Sequence, residues 1–171
     1  MSASTVEIAR LAGIAEGSIF RRFPTKEALF RAAVRPPDVP AWVAELDTLV
    51  GTGDLRENLM HIAREIIRLS EQIMPLVMID WGNKRSSDGA ESEPEESPII
   101  RDRRKLAEYL GREVDRGRLR PCNVEVVARM LFDPCLGMVV DRIVQKQALC
   151  GDNTEQFVQS LVDALWTGTA P

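Results

Sequence analysis

Between Gly13 and Lys26 the chain sets small residues beside long hydrogen-bond donors at helical spacing. Gly17 and Ser18 allow another backbone to come close and offer a hydroxyl near a helix start, where free N–H groups favour phosphate. Arg21 and Arg22, about one turn later, can fork onto guanine edges or clamp phosphates, and Lys26 supplies a point charge for a phosphate. This is chemistry for recognising a polyanion, not for making or breaking bonds. The sequence has no P-loop, no G-x-S-x-G, no zinc-ligand spacing and no Cys/His couple with a third orienting group, so an enzyme is not expected. The acidic run from Glu91 to Glu96 lies among serines and prolines, where paired carboxylates cannot be held in register.

Three short helices must position these donors. Ser4-Thr5-Val6-Glu7 has the form of a capping box, and Ile8, Leu11 and Ala12 then give an apolar stripe ended by Gly13. A second helix is expected from about Glu16 to Phe23, with Ile19 and Phe23 facing inward. Pro24 breaks it, and Thr25 can cap a third helix from Lys26 to Val34, buried through Leu29 and Phe30 and stopped by Pro36-Pro37. A helix, a glycine-led turn and a second helix carrying paired arginines is the layout of a helix-turn-helix reader of DNA. Charge agrees with this once the chain is divided. Residues 1–35 hold six basic side chains against three acidic, a net +3, leaving −7 on the rest of a chain whose total is −4. A basic head on an acidic body suits a reader joined to a domain that does not touch DNA.

The remainder reads as helix throughout. A short connecting helix is expected from Trp42 to Val50. From Asp54 a long amphipathic pattern follows, with Leu55, Leu59, Ile62, Ile66 and Leu69 at three- and four-residue steps, and Pro75 bends or restarts it. Residues 83–98 are polar, acidic and proline-punctuated, which predicts a mobile loop. Helix resumes from Ile99 to Arg116 before Gly117. Asn123 caps another to about Leu149 with a kink at Pro134, and Thr154 caps the last through Trp166. The fold class is therefore all-α, with a helix-turn-helix domain at 1–36 and a larger helical body at 40–171.

Within the body, Met60, Met74, Met78, Trp81 and Phe132, with Met130 and Met138, can line a cavity for a largely apolar small molecule, His61 supplying a polar donor. Ordinary core is the alternative for each of them. No cofactor or metal is expected, since His61 is the sole histidine. No run approaches a membrane span, and no basic, apolar leader begins the chain. Cys122, Cys135 and Cys150 are odd in number and form no C-x-x-C pair, which fits reduced thiols in a cytoplasmic protein.

Ile8-Ala9, Ala12-Gly13-Ile14, Gly17-Ser18-Ile19, Phe23 and Lys26-Glu27-Ala28-Leu29 together resemble the DNA-binding segment of TetR-family transcriptional regulators. The resemblance implies a DNA-facing set of Ser4, Thr5, Gly17, Ser18, Phe20, Arg21, Arg22 and Lys26. Phe20 stands where the family most often has a phosphate-binding tyrosine, and Ala15 where a serine often caps the reading helix. Family members carry another helix before the capped one. The chain begins almost at the capping box, so that first helix is expected to be missing and the apolar face of the reader partly uncovered. Over residues 40–171 the likeness is architectural. It implies a homodimer on a palindromic operator, a small-molecule effector, and a repressor released by that effector. The dimer face would come from the last two long helices, through Leu131, Val139, Phe157, Leu161 and Leu165, for which intramolecular core is the open alternative. The competing reading is a ligand or interaction module that does not bind DNA.

Overall fold

The computed structural model describes residues 4–34, 39–84, 97–145 and 153–169. They form eight α-helices and no strand, as the periodicity predicts. The chain divides into two compact units, Met1–Arg35 and Pro36–Pro171.

The first unit holds α1 (Thr5–Ala12), α2 (Glu16–Arg22) and α3 (Lys26–Val34). Ser4 caps α1, but its Oγ accepts the N–H of Val6 at 3.3 Å, one residue short of the expected box. The Thr5 hydroxyl donates to Glu16 Oε1 at 2.7 Å and so ties the first turn of α1 to the first turn of α2. Gly13 ends α1 in the left-handed conformation at φ 67°. The Ile14 N–H reaches the Ala9 carbonyl at 3.1 Å and the Gly13 N–H that of Arg10 at 3.3 Å, the bond pair of a Schellman close. Thr25 caps α3 through the Ala28 N–H at 3.0 Å, as its hydroxyl predicts. Among the described residues of this unit Ala9 and Ile19 are buried, Phe23, Leu29 and Phe30 are half-buried, and Val6, Leu11 and Ile14 are exposed. Leu11 and Ala12 thus lie outside the stripe that the sequence suggests, which Ala9 occupies instead.

The second unit is built from α4 (Ala41–Leu49), α5 (Leu55–Lys84), α6 (Pro98–Asp115), α7 (Val124–Val144) and α8 (Thr154–Thr169). Helix α5 packs on α7 and α8, and α6 packs on α7 and α4. Ile62 and Ile66 of α5, Leu106 and Leu110 of α6, Leu131 and Val139 of α7 and Val158 and Val162 of α8 meet in one core. At about 25 cal/mol per Å² of apolar surface, this burial is what holds the unit together. Trp42 of α4 joins the core through Phe132, the ring centroids 6.0 Å apart and tilted by 49°.

Helix α5 runs unbroken through Pro75, where the sequence suggests a bend or restart. Proline costs a helix interior about 3 kcal/mol. Burial around it, Ile66 and Ile67 before and Met74 beside it, outweighs that cost. Residues 85–96, expected as a loop, lie outside the described residues, as do 146–152, which hold Cys150 and the expected end of the seventh helix. Thr154 is the first residue of α8, and its hydroxyl accepts from Arg142 Nη2 at 2.9 Å. Arg142 also pairs with Glu71 at 2.8 Å, joining α7 to α5 inside the unit. On the outside, Arg64 forks onto Glu155 at 2.9 and 2.5 Å, and Arg56 pairs with Asp163, both bridging α5 to α8. These arginines hold the Glu155 and Asp163 carboxyls below their usual range.

Asp102 of α6 is buried beside Arg101. Burial raises its carboxyl pKa, and the Arg101 hydrogen bond offsets this only in part. A carboxyl whose pKa is higher folded than unfolded stabilises fully below the unfolded value, and that stability is lost as pH rises through the folded value. Asp102→Asn, fixed in the neutral form, is therefore expected to melt above the unmodified chain at pH 7. The advantage should vanish below about pH 4, near the unfolded pKa of aspartate. Thermal melts at both pH values check this, and an Asn variant that melts lower at pH 7 would contradict it.

Candidate nucleic-acid interface

Helix α2 turns Ile19 inward at 4% exposure and leaves Gly17, Ser18, Phe20, Arg21 and Arg22 on the surface. That division follows from a 100° turn per residue, which sends the neighbours of a buried residue to either side of it. A Cβ added at Gly17 would meet nothing within 4 Å, so no packing need inside the unit calls for glycine there. Close approach from outside is the remaining physical use for it. Ala15 stands at the N-cap with no side-chain hydrogen bond, which leaves the first amides of α2 open to an acceptor.

The two arginines differ. The Arg22 guanidinium carbon lies 5.9 Å from the centre of the Phe23 ring and is steadied there. Arg21 is exposed, and Lys26 is exposed at the start of α3. Phe20 is 44% exposed, an aromatic face with no hydroxyl to donate. Ser4 is exposed with its Oγ engaged on Val6, and Thr5 is half-buried with its hydroxyl spent on Glu16. Thr5 therefore braces the unit from within, a role its place in the expected DNA-facing set does not reveal.

In the second unit the expected pocket residues separate. Met60, Met74 and Phe132 are buried in the core and Met78 is half-buried, while the Trp81 side chain lies outside the described residues. Met130 is exposed. His61 does not join the interior. It lies on the outer side of α5, its Nε2 2.9 Å from Glu45 Oε2 of α4, because the turn of the helix that buries Met60 swings its neighbour outward.

The residues expected at a dimer face also separate. Leu131 and Val139 are 0% exposed and Leu165 is 3%, all within the unit's own core, whereas Phe157 and Leu161 are half-exposed. The outward apolar surface of α7 lies elsewhere, on Val126, Met130 and Val144, at 49%, 51% and 66% exposure, with Gly137 between them. Val126 and Val144 are five full turns apart, so these residues form one stripe. Sequence reasoning missed it because the outward face of α7 mixes these residues with the charged Glu125, Arg129 and Asp133, and periodicity then carries little contrast. No helix among the described residues is long and apolar enough to cross a membrane.

Known proteins share the head's sequence pattern and the fold. Residues 2–33 match the family model for bacterial regulatory proteins of the tetR family. No curated protein matches the chain in sequence. Among solved structures, a protein described as a TetR-family transcriptional regulator from Mesorhizobium loti superposes with a TM-score of 0.79 at 18% identity, over 99% of this chain and 87% of that one. A structure concerned with control of antibiotic production by bacterial hormones gives 0.70 at 22% identity, again over 99% and 87%. PfmR, a TetR family regulator from Thermus thermophilus, gives 0.57 at 17% identity, over 95% and 87%. The head, residues 2–33, thus matches the family model for bacterial regulatory proteins of the tetR family, and the chain shares the fold of these solved regulators.

Proposed function

We propose that the protein is a homodimeric repressor that reads a palindromic operator through α2 and leaves it when a small, largely apolar effector binds the helical body. The observation that carries this is the exposed run Gly17, Ser18, Phe20, Arg21 around a buried Ile19, on a basic unit joined to an acidic body. A twofold dimer places two readers on half-sites about one helical turn of DNA apart. The stripe of Val126, Met130 and Val144, with Phe157 and Leu161 of α8, offers the apolar surface for that pairing. Met60, Met74, Met78 and Phe132 supply the adaptable wall for the effector. By linkage the effector must favour the released arrangement, and a hundredfold loss of DNA affinity requires about 2.7 kcal/mol of such preference. The structure concerned with hormone control of antibiotic production, whose fold this chain shares, supports a reader governed by a small molecule.

Two substitutions test the reader. Lys26→Ala is expected to weaken binding to operator and random DNA alike and to reduce the salt slope by about 1. Arg21→Ala is expected to cost about 1–3 kcal/mol on the operator and to relax its sequence preference. Equal losses on operator and random DNA for Arg21→Ala would reassign that side chain to the phosphate backbone. No loss from either would remove α2 from the DNA.

A further inference from the structure

The turn between α4 and α5, Val50-Gly51-Thr52-Gly53-Asp54, has both glycines in the left-handed region, at φ 70° and 58°. Its polar groups are held from α6 and from the segment just after it. The Gly51 N–H donates to Glu113 Oε1 at 2.7 Å across 62 residues of sequence. Arg118 donates from Nη1 and Nη2 to the Thr52 carbonyl at 3.2 Å each, and from Nη2 to that of Gly53 at 2.7 Å. Arg118 Nη1 also lies 3.2 Å from Glu113 Oε2.

Local sequence builds this arrangement. Gly117, at φ 70°, closes α6 with the Arg118 N–H on the Glu113 carbonyl at 2.9 Å and its own N–H on that of Val114 at 2.9 Å. This Schellman close folds Arg118 back beside Glu113, the residue that holds the turn. A second tie runs from Arg112 of α6 to Asp47 of α4 at 2.6 Å.

A turn at the surface can take its hydrogen bonds from water. Here a carboxylate with 0% exposure does the work, and burying a charge is costly. One helical turn earlier on α6, Tyr109 is equally buried. Its hydroxyl meets only the Asn58 side chain, and Glu113 Oε2 has the Arg118 ion pair but no aligned hydrogen bond. Asn58 commits its amide to the Thr52 carbonyl at 2.9 Å. Burial, and then the Glu113 charge, push the Tyr109 phenol up to about 12, so it remains a donor. A buried donor and a buried acceptor thus stand at i and i+4 on one helix face, where side chains are neighbours. Neither is used by the other while Glu113 holds Gly51.

We propose that Glu113 is a two-position latch on the α4–α5 turn: it fastens α4 to α6 while it holds Gly51, and takes the Tyr109 hydroxyl when α4 is let go. Its regulatory meaning rests on the reading above, in which effector occupancy of the body is passed to the reader. The latch predicts opposite effects for its two ends. In hydrogen exchange followed by mass spectrometry on the full chain, Glu113→Gln should speed exchange at residues 41–54 at least tenfold. Tyr109→Phe, which removes the alternative partner, should slow exchange there severalfold. Residues 127–139 of α7 should stay within twofold in both variants, which excludes a general loss of stability. Unchanged exchange at 41–54, a shift of the same sign in both variants, or equal changes throughout the chain would overturn the latch. On promoter DNA the two variants should move affinity in opposite directions. An unmodified chain that binds no DNA would count against the regulatory reading, and the exchange result would still decide the latch.

Discussion

Leu131→Ala is expected to lower the stability of the body by about 2–5 kcal/mol, the range for a leucine truncated in a packed core. Leu131 is 0% exposed and belongs to the core that α5, α6 and α8 share with α7. Its carbonyl also accepts from the Cys135 thiol at 3.1 Å. That thiol is pushed up to about 12 by burial, which marks how dry this stretch of α7 is. The surrounding helices cannot close on the lost volume without moving backbone, so the cost should lie well above that of a surface change. For a chain of this size it corresponds to a fall of roughly 5–15 °C in melting temperature, measured at one fixed protein concentration. The dissociation constant of the proposed dimer should change little, because Leu131 lies in the core of its own chain. A variant that melts normally but dissociates would place Leu131 at the subunit interface after all.

Met130→Asp, one residue away, should do the reverse. Met130 is 51% exposed on the stripe it shares with Val126 and Val144. A carboxylate there costs the protomer little, as surface substitutions usually stay within about 0.5 kcal/mol. In a twofold apolar interface the same change buries a charge from each subunit, and dimer affinity should fall by on the order of a hundredfold or more. Sedimentation velocity over a range of concentrations reads this directly. A dimer as tight as that of the unmodified chain would move the subunit interface off this face of α7.

That two adjacent residues carry opposite expectations marks the limit of what the sequence could show. Helix ends were legible because their chemistry is local: Ser4, Thr25 and Asn123 cap within three residues, and Gly13 and Gly117 close helices within six. The outward face of α2 was legible for the same reason, since one buried Ile19 fixes which neighbours face out. The rotational phase of α7 was not, because its exposed face mixes Glu125, Arg129 and Asp133 with Val126, Met130 and Val144, which blurs the polar side that would set it. His61 looked like an interior residue among apolar neighbours, and only the approach of Glu45 from α4 shows which way it points. The bond from Gly51 to Glu113 lies beyond any local signal, since it depends on two helices meeting across 62 residues. The bond from the Thr5 hydroxyl to Glu16 was not legible either, since it depends on α1 and α2 meeting across the turn.

Binding of DNA through the basic head is tested most directly by fluorescence anisotropy against the chain's own promoter region at two salt concentrations. The account predicts tight binding to the promoter that weakens steeply as salt rises, because each phosphate contact releases counterions. It also predicts weaker, equally salt-sensitive binding to random DNA. A folded dimer that binds neither DNA at low salt would contradict the claim and leave the body acting as a ligand-binding or interaction module.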